Sequence, residues 1–329
     1  MASVPKKMKA VVVTGLGSYE ITRVPVRGIQ PDEVLIQVLV AGLCRTDLKI
    51  IEAGHRDLVL PRIPGEEVVG LIQSKGAAVS GFDIGQPVYV YPGLWCGECP
   101  ACRGGAENLC RGMRIMGFHR HGGFAEYVIA PARSLIPVPG GLPLEEAVFA
   151  EPLSCCLNAL ELAGPLSGKQ VGIWGAGPAG TLLARASAAK GAHPVSMEPD
   201  ERRRERIGGV WPAPENAFDL CVVAVGAEDA YREAWRCLGP HGTLVIFSGL
   251  SQTGEVQPLD LNRIHYLEQK IAGAYGCCYR HGREALRLLA DGSVRVKDLI
   301  SHRLPLWELE RGLEIVKNKL GMKVLLYPR

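Results

Sequence analysis

Gln170-Val171-Gly172-Ile173-Trp174-Gly175-Ala176-Gly177-Pro178-Ala179-Gly180 is the most informative run in the chain. Its first five residues read as a buried strand, and Gly175 opens a G-x-G-x-x-G turn. Residues 181–190 continue as an alanine- and leucine-rich helix. The motif alone is weak; set between a strand and a helix it points to a bound dinucleotide. Gly175 makes the tight turn, Gly177 lets the backbone approach a pyrophosphate, and Pro178 and Ala179 complete the phosphate-facing turn. Gly180 lets the helix pack on the sheet, so that its N-terminal N–H groups face the phosphates. The competing reading is a glycine turn that serves packing alone.

Downstream, residues 194–197, 220–225 and 244–247 are buried-strand candidates, with a helix at about 228–238. Strands alternating with helices imply a parallel sheet covered on both faces. Glu198 lies eighteen residues past Gly180, at the end of the next strand. A carboxylate there accepts hydrogen bonds from ribose hydroxyls and repels a 2′-phosphate, which favours NAD. Arg202 and Arg203 keep NADP open, since arginine there receives that phosphate.

Upstream, residues 8–150 read as β-rich. Val34, Ile36, Val38 and Val40 alternate along one run, and 68–72 and 88–91 are further short strands. Turn residues punctuate them: Gly15 and Gly17, Pro31-Asp32, Pro64-Gly65, and Gly85 with Pro87. Short strands of this kind suit a small, partly open barrel. The character changes near Pro152. Beyond Arg283 come helices at 284–290 and 307–317 and a last strand at 323–327.

Within the β-rich half, Cys96-x2-Cys99-x2-Cys102-x7-Cys110 has metal-ligand spacing. Four thiolates close a zinc shell and leave no position for substrate, so this site is expected to be structural. The alternative, disulfides or buried thiols, fits less well, because eleven cysteines here come with no export signal at the N-terminus. The expectation is therefore a cytoplasmic chain with reduced thiols.

Bulk properties exclude other classes. At 329 residues, 47% hydrophobic and 22% charged, the chain suits two globular domains. A net charge of +3 implies no polyanionic partner. The basic cluster Arg202 to Arg204 with Arg206 is broken by Glu201 and Glu205 and reads as a solvated helix face, not a nucleic-acid patch. No apolar run approaches the roughly 18 residues of a membrane helix.

A third constellation is scattered: Cys44-Arg45-Thr46-Asp47, Gly65-Glu66-Glu67 and Glu151-Pro152. Read alone it is either a second metal site or a small core cysteine with surface carboxylates. With the four-cysteine run and the glycine turn, however, residues 8–329 resemble the zinc-containing medium-chain alcohol and polyol dehydrogenases. Ala150-Glu151-Pro152-Leu153-Ser154 is similar to their sorbitol and threonine dehydrogenase branch.

The resemblance implies an α/β chain with a GroES-like β-barrel catalytic domain at 1–150, its zinc lobe at about 93–112. A Rossmann doubly wound parallel sheet at 151–278 follows, then a return to the catalytic domain at 279–329. It implies homodimers or homotetramers built through the sheet edge near 271–275. It also implies a catalytic zinc on the matches of Cys44 and Glu151 plus the histidine of a Gly-His-Glu motif. This chain has Glu66 there instead. Three negative ligands, Cys44, Glu66 and Glu151, neutralise the ion and weaken it as a Lewis acid. The second zinc site is thus altered, partly occupied or empty, with Glu67 beside it.

By the same resemblance Thr46 relays the alcohol's proton. Lys49 is either the next relay step or a solvated helix residue. The family carries a further helix and strand after the match of Ile207. Only residues 208–217 intervene here, too few for that crossover, so the adenosine end is expected to be pruned.

Two readings follow. One is NAD-dependent oxidation of a secondary alcohol to a ketone by hydride transfer, with zinc-free reduction of a carbonyl or activated alkene as its variant. The other is a catalytically inactive dinucleotide-binding redox sensor or scaffold. Retention of Cys44, Thr46, Glu67 and Glu151 together favours the first.

Overall fold

In a computed structural model that describes residues 5–250 and 259–329, the chain forms two compact units. The first comprises the chain up to Glu151 with Cys278–Gly292 and Val296–Arg329; the second comprises Pro152–Cys277 with Ser293–Arg295. The first unit opens with β1 (Lys7–Gly15), β2 (Ser18–Pro25), β3 (Glu33–Leu43), β4 (Glu67–Lys75), β5 (Pro87–Val90), β6 (Tyr127–Pro131) and β7 (Leu135–Pro137). The second unit holds β8 (Gln170–Trp174), β9 (His193–Met197), β10 (Phe218–Val223), β11 (Leu238–Ile246) and β12 (Lys270–Gly273). The chain then returns to the first unit with β13 (Ile300–Pro305) and β14 (Lys323–Tyr327).

The first unit is built around β3. Its sheet runs β13-β14-β3-β4-β5-β7, β6 also pairs with β3, and the β1–β2 hairpin joins through bridges at Ala10–Ala125 and Val13–Arg62. Alternation at Val34, Ile36, Val38 and Val40 predicts one buried face. Leu35 and Ala41 are buried as well, because β3 is covered on both sides. Around it packs an aliphatic core with Val68, Ile72, Val88, Phe124, Leu306 and Leu326.

The second unit is a parallel sheet ordered β12-β11-β10-β8-β9. The strand β8 lies between β9 and β10, so the chain leaves its C-terminal end toward opposite sides, the switch point where such sheets bind ligands. Beyond β9 the sheet stops. The helix Glu201–Ile207 closes on Gly208 at φ 61°, and Val210 makes a single parallel bridge to Met197. The ten residues 208–217 thus leave one bridge where a further strand had no room. Trp174 and Phe218 meet edge to face, 5.9 Å apart, in the core beneath.

The glycine turn leaves β8 at Gly175, whose φ of 110° strains any other residue. A Cβ on Gly180 would stand 1.8 Å from the Gly175 carbonyl oxygen, whereas one on Gly177 would meet nothing within 4 Å. The first contact locks the helix Pro178–Ala189 against the turn; the open side at Gly177 is the approach left for a phosphate. Gly180→Ala is accordingly expected to lower the unfolding free energy by about 1–3 kcal/mol, the usual cost of overpacking. A lower urea midpoint with an unchanged m-value checks it.

Candidate active site and metal centres

The thiols of Cys96, Cys99, Cys102 and Cys110 lie within 4.8 Å of one another. Sulfur separations of 3.8 Å (Cys96–Cys102), 3.4 Å (Cys99–Cys102) and 3.5 Å (Cys96–Cys110) fit a zinc tetrahedron, whose 2.3 Å bonds set about 3.8 Å between sulfurs. Backbone N–H groups of Cys96 and Cys99 donate to the sulfurs of Cys110 and Cys96 at 3.3 and 3.4 Å, the support thiolates need. Gly97, at φ 88°, turns the chain between the first two ligands. The lobe is fastened to the returning helix Tyr279–Ala290. There the Tyr279 N–H donates to Glu107 Oε1 at 2.8 Å, and the Cys278 thiol to Asn108 Oδ1 at 3.1 Å.

A second group of ionisable residues gathers where β3 ends. Cys44 caps the helix Arg45–Glu52, and Asp47 Oδ2 accepts from its N–H at 3.0 Å and its thiol at 3.2 Å. Desolvation, then the charges of Asp47 and Glu67, push the Cys44 thiol well above its usual range. Burial raises Asp47 to about 6, and its Oδ1 has no hydrogen-bond partner. Thr46 is half-buried on the same helix and Lys49 is exposed.

Glu67, the first residue of β4, faces Gly42 across the ladder; a Cβ on Gly42 would lie 1.9 Å from its Oε2. Glycine at 42 therefore makes room for this carboxylate. Lys323, the first residue of β14, donates to Glu67 Oε1 at 2.5 Å, and both side chains are 3% exposed. Burial alone lowers the Lys323 ammonium, but Glu67, Cys44 and Glu151 more than offset it and hold its pKa above the usual value.

Sequence reasoning missed Lys323, which reads only as the start of an apolar strand. It also took Asp47 merely as part of a run, although its spacing of three from Cys44 is that of a capping box. Glu66, partly buried beside Gly117, joins the field acting on Cys44. Among the described residues, Cys44, Glu66 and Glu151 are not drawn within 4.8 Å of one another as a set. Glu151 instead stands one helical turn before Cys155, whose thiol lies within that distance of Cys277. Neither cysteine carried a motif that marks it.

At the dinucleotide turn, Glu198 is 6% exposed. It accepts from the Ala176 N–H at 3.0 Å and the Asp200 N–H at 3.2 Å. The carboxylate is thus fixed at the strand end and also braces the glycine turn. Arg203 donates its backbone N–H to the capping Asp200 at 2.9 Å. The side chains of Arg202 and Arg206 lie outside the described residues.

Comparison with known proteins agrees with this fold. Residues 30–140 match the alcohol dehydrogenase GroES-like domain family. L-threonine 3-dehydrogenase of Pyrococcus horikoshii is 34% identical over 98% of this chain and 99% of its own. D-altritol 5-dehydrogenase of Agrobacterium fabrum is 30% identical over 92% and 94%. A Sinorhizobium meliloti protein solved with NADP superposes with a TM-score of 0.90 at 28% identity, covering 98% of this chain and all of that one. The chain belongs to the zinc-type medium-chain dehydrogenase family, in its threonine and polyol dehydrogenase branch. It is an enzyme of the alcohol and polyol dehydrogenase type, with a GroES-like unit and a Rossmann sheet.

Two outcomes follow from these contacts. Cys110→Ser is expected to lose one zinc per chain by metal analysis and to aggregate; a soluble, fully active, zinc-poor variant would contradict the structural assignment. Lys323→Met leaves Glu67 charged and buried, and is expected to cost about 3–5 kcal/mol in urea unfolding. The double variant Glu67→Leu/Lys323→Met should recover most of that loss.

Proposed function

We propose that the chain oxidises a secondary alcohol of a polyol, sugar or amino alcohol to the ketone, with NAD as hydride acceptor. The observation that carries this reading is the turn after β8. It lies at the switch point of the sheet, opens a twelve-residue helix and leaves space beside Gly177. Glu198 supports NAD over NADP because a carboxylate at the end of this strand would accept from ribose hydroxyls and repel a 2′-phosphate; Arg203 is the residue that supports NADP. Relatives named as a 3-dehydrogenase of an amino acid and a 5-dehydrogenase of an alditol support a secondary carbinol.

Bound zinc and nicotinamide supply an electrophile for the alcohol oxygen and an acceptor for its hydride. Cys44, Glu66 and Glu151 are donors that zinc accepts, a thiolate and two carboxylates, and would hold it by drawing closer together than they stand in this structure. Lys323 returns one positive charge to this anionic set, and Glu67 stands behind it. Thr46 accepts the alcohol proton at its hydroxyl and passes it outward along the helix toward Lys49 and solvent.

The reading includes a reducing, cytoplasmic setting, supported by eleven cysteines that are all free of disulfides. No helix among the described residues is long and apolar enough to cross a membrane. It also includes a homodimer or homotetramer through β12, supported by Ile271 and Tyr275, 38% and 41% exposed at that edge. Zinc-free reduction of a carbonyl or activated alkene is the second reading, favoured by the histidine-free ligand set and by the Cys44 thiol's bond to Asp47.

A panel of alditols, sugars and amino alcohols, followed by NADH absorbance, tests the proposal. NAD is expected to outperform NADP, and Glu198→Ala to narrow the gap. Cys44→Ser should lower kcat/KM by more than about 100-fold, the scale of several kcal/mol of lost electrophilic stabilisation. Glu66→His should bind zinc more strongly without losing activity. An active wild type with one zinc per chain, matched by an equally active Cys44→Ser, would establish the zinc-free reading.

A further inference from the structure

The loops at residues 54–63 and 113–121 of the first unit border the Cys44–Glu66 region. A Cβ on Gly117 would meet the Glu66 Cγ at 3.4 Å. The loops are tied together where the Val59 N–H donates to the Phe118 carbonyl at 3.2 Å, and the His55 and Phe118 rings pack edge to face at 4.8 Å.

Two imidazoles here are held in one tautomer. The Asp57 N–H donates to His55 Nδ1 at 3.2 Å, and the Ile115 N–H donates to His119 Nδ1 at 3.1 Å. A ring nitrogen that accepts cannot carry the proton, so each neutral ring bears its N–H on Nε2 and offers a donor. Desolvation lowers both histidines, which keeps them neutral.

Arg62 and Arg114 complete the group. Each lies in the other's field and both act on His119. Arg62 is half-buried and spends its Nε on the Val59 carbonyl at 2.8 Å. Among the described residues no carboxylate lies within ion-pair distance of either guanidinium. The nearby acids are Asp57, which pairs with Arg56 at 3.4 Å and acts on His119, and Glu66, which lies against Gly117. The surface therefore presents hydrogen-bond donors and two guanidinium groups without an ion-pair partner beside the Cys44–Glu66 region, a combination that a neutral polyol leaves unmatched.

We propose that Arg62 and Arg114, with His55 and His119, bind an anionic group of the substrate, a carboxylate or a phosphate on a hydroxylated carbon chain. The inference rests on the dehydrogenase reading for its location, but its chemistry is that of binding. A guanidinium fork matches either anion with two parallel N–H···O bonds, and the Nε2 donors take the remaining oxygens.

Calorimetric titration of the intact protein with galactitol, galactonate and galactitol 1-phosphate separates the possibilities, because the three share a carbon skeleton. At least one anion is expected to bind about 10-fold or more tightly than the alditol, on the scale of one charge-assisted hydrogen bond. The arm that wins tells carboxylate from phosphate. The preference should weaken with added salt. It should fall toward unity in Arg62→Gln and be partly kept in Arg62→Lys, with Arg114→Gln as the second site if Arg62→Gln does not fold. Equal binding of alditol and anions, no binding of either anion, or a preference that survives both glutamine variants would overturn the proposal. NADH formation from the same compounds is read separately. Tight anion binding without turnover would keep this inference and remove the oxidation reading.

Discussion

Glu67 and Lys323 are 256 residues apart in the chain and form a buried ion pair. Neither charge is tolerable alone in that interior, since removing one partner strands the other without water. The pair therefore fixes where the returning segment must dock: β14 lies against β3, with Lys323 reaching the first residue of β4. Gly42 belongs to the same constraint, because Glu67 passes over it with no room for a Cβ. The final strand is in this way tied chemically to the loop that carries Glu66.

That pair also bears on the charge of the reacting region. With glutamate at 66, the carboxylates Glu66, Glu67 and Glu151 stand in one neighbourhood with the protonated Cys44 thiol, and Lys323 is the cation paired with Glu67. Lys323 answers Glu67, with Glu151 adding to the field that holds its proton, and Glu66 acts instead on Cys44.

Local signals were legible in the sequence, and contacts across the chain were not. Strand β8, the glycine turn and the four-cysteine lobe declare themselves by spacing, because turn geometry and metal coordination demand fixed residues at fixed intervals. The shortened sheet could be foreseen, since ten residues cannot hold a helix and a strand; its remnant bridge at Val210 could not. Helix Tyr279–Ala290 begins five residues before the periodic run at 284–290. Its start is capped by Cys278 with His281 Nδ1 accepting at 3.0 Å, a pairing outside the usual serine, threonine and aspartate signals. Lys323, Cys155 and Cys277 carry no local mark, as their importance lies in what folding brings beside them.

Cys44 shows how one side chain serves the fold and, on the proposed reading, the chemistry. As N-cap it lets its N–H be taken by Asp47 and starts the helix that holds Thr46. A helix N-terminus favours a thiolate by about 0.3–1 kcal/mol at an exposed position. Desolvation and the carboxylates of Asp47 and Glu67 act the other way and win, so the thiol keeps its proton and donates a hydrogen bond to Asp47. Only a nearby cation of higher charge reverses that balance, because a coordinating metal deprotonates a thiol outright. Were a metal held there, Cys44 would bind it as a thiolate, and Asp47, whose Oδ2 already faces the thiol and whose Oδ1 is without a hydrogen-bond partner, is the neighbouring group that would accept the displaced proton.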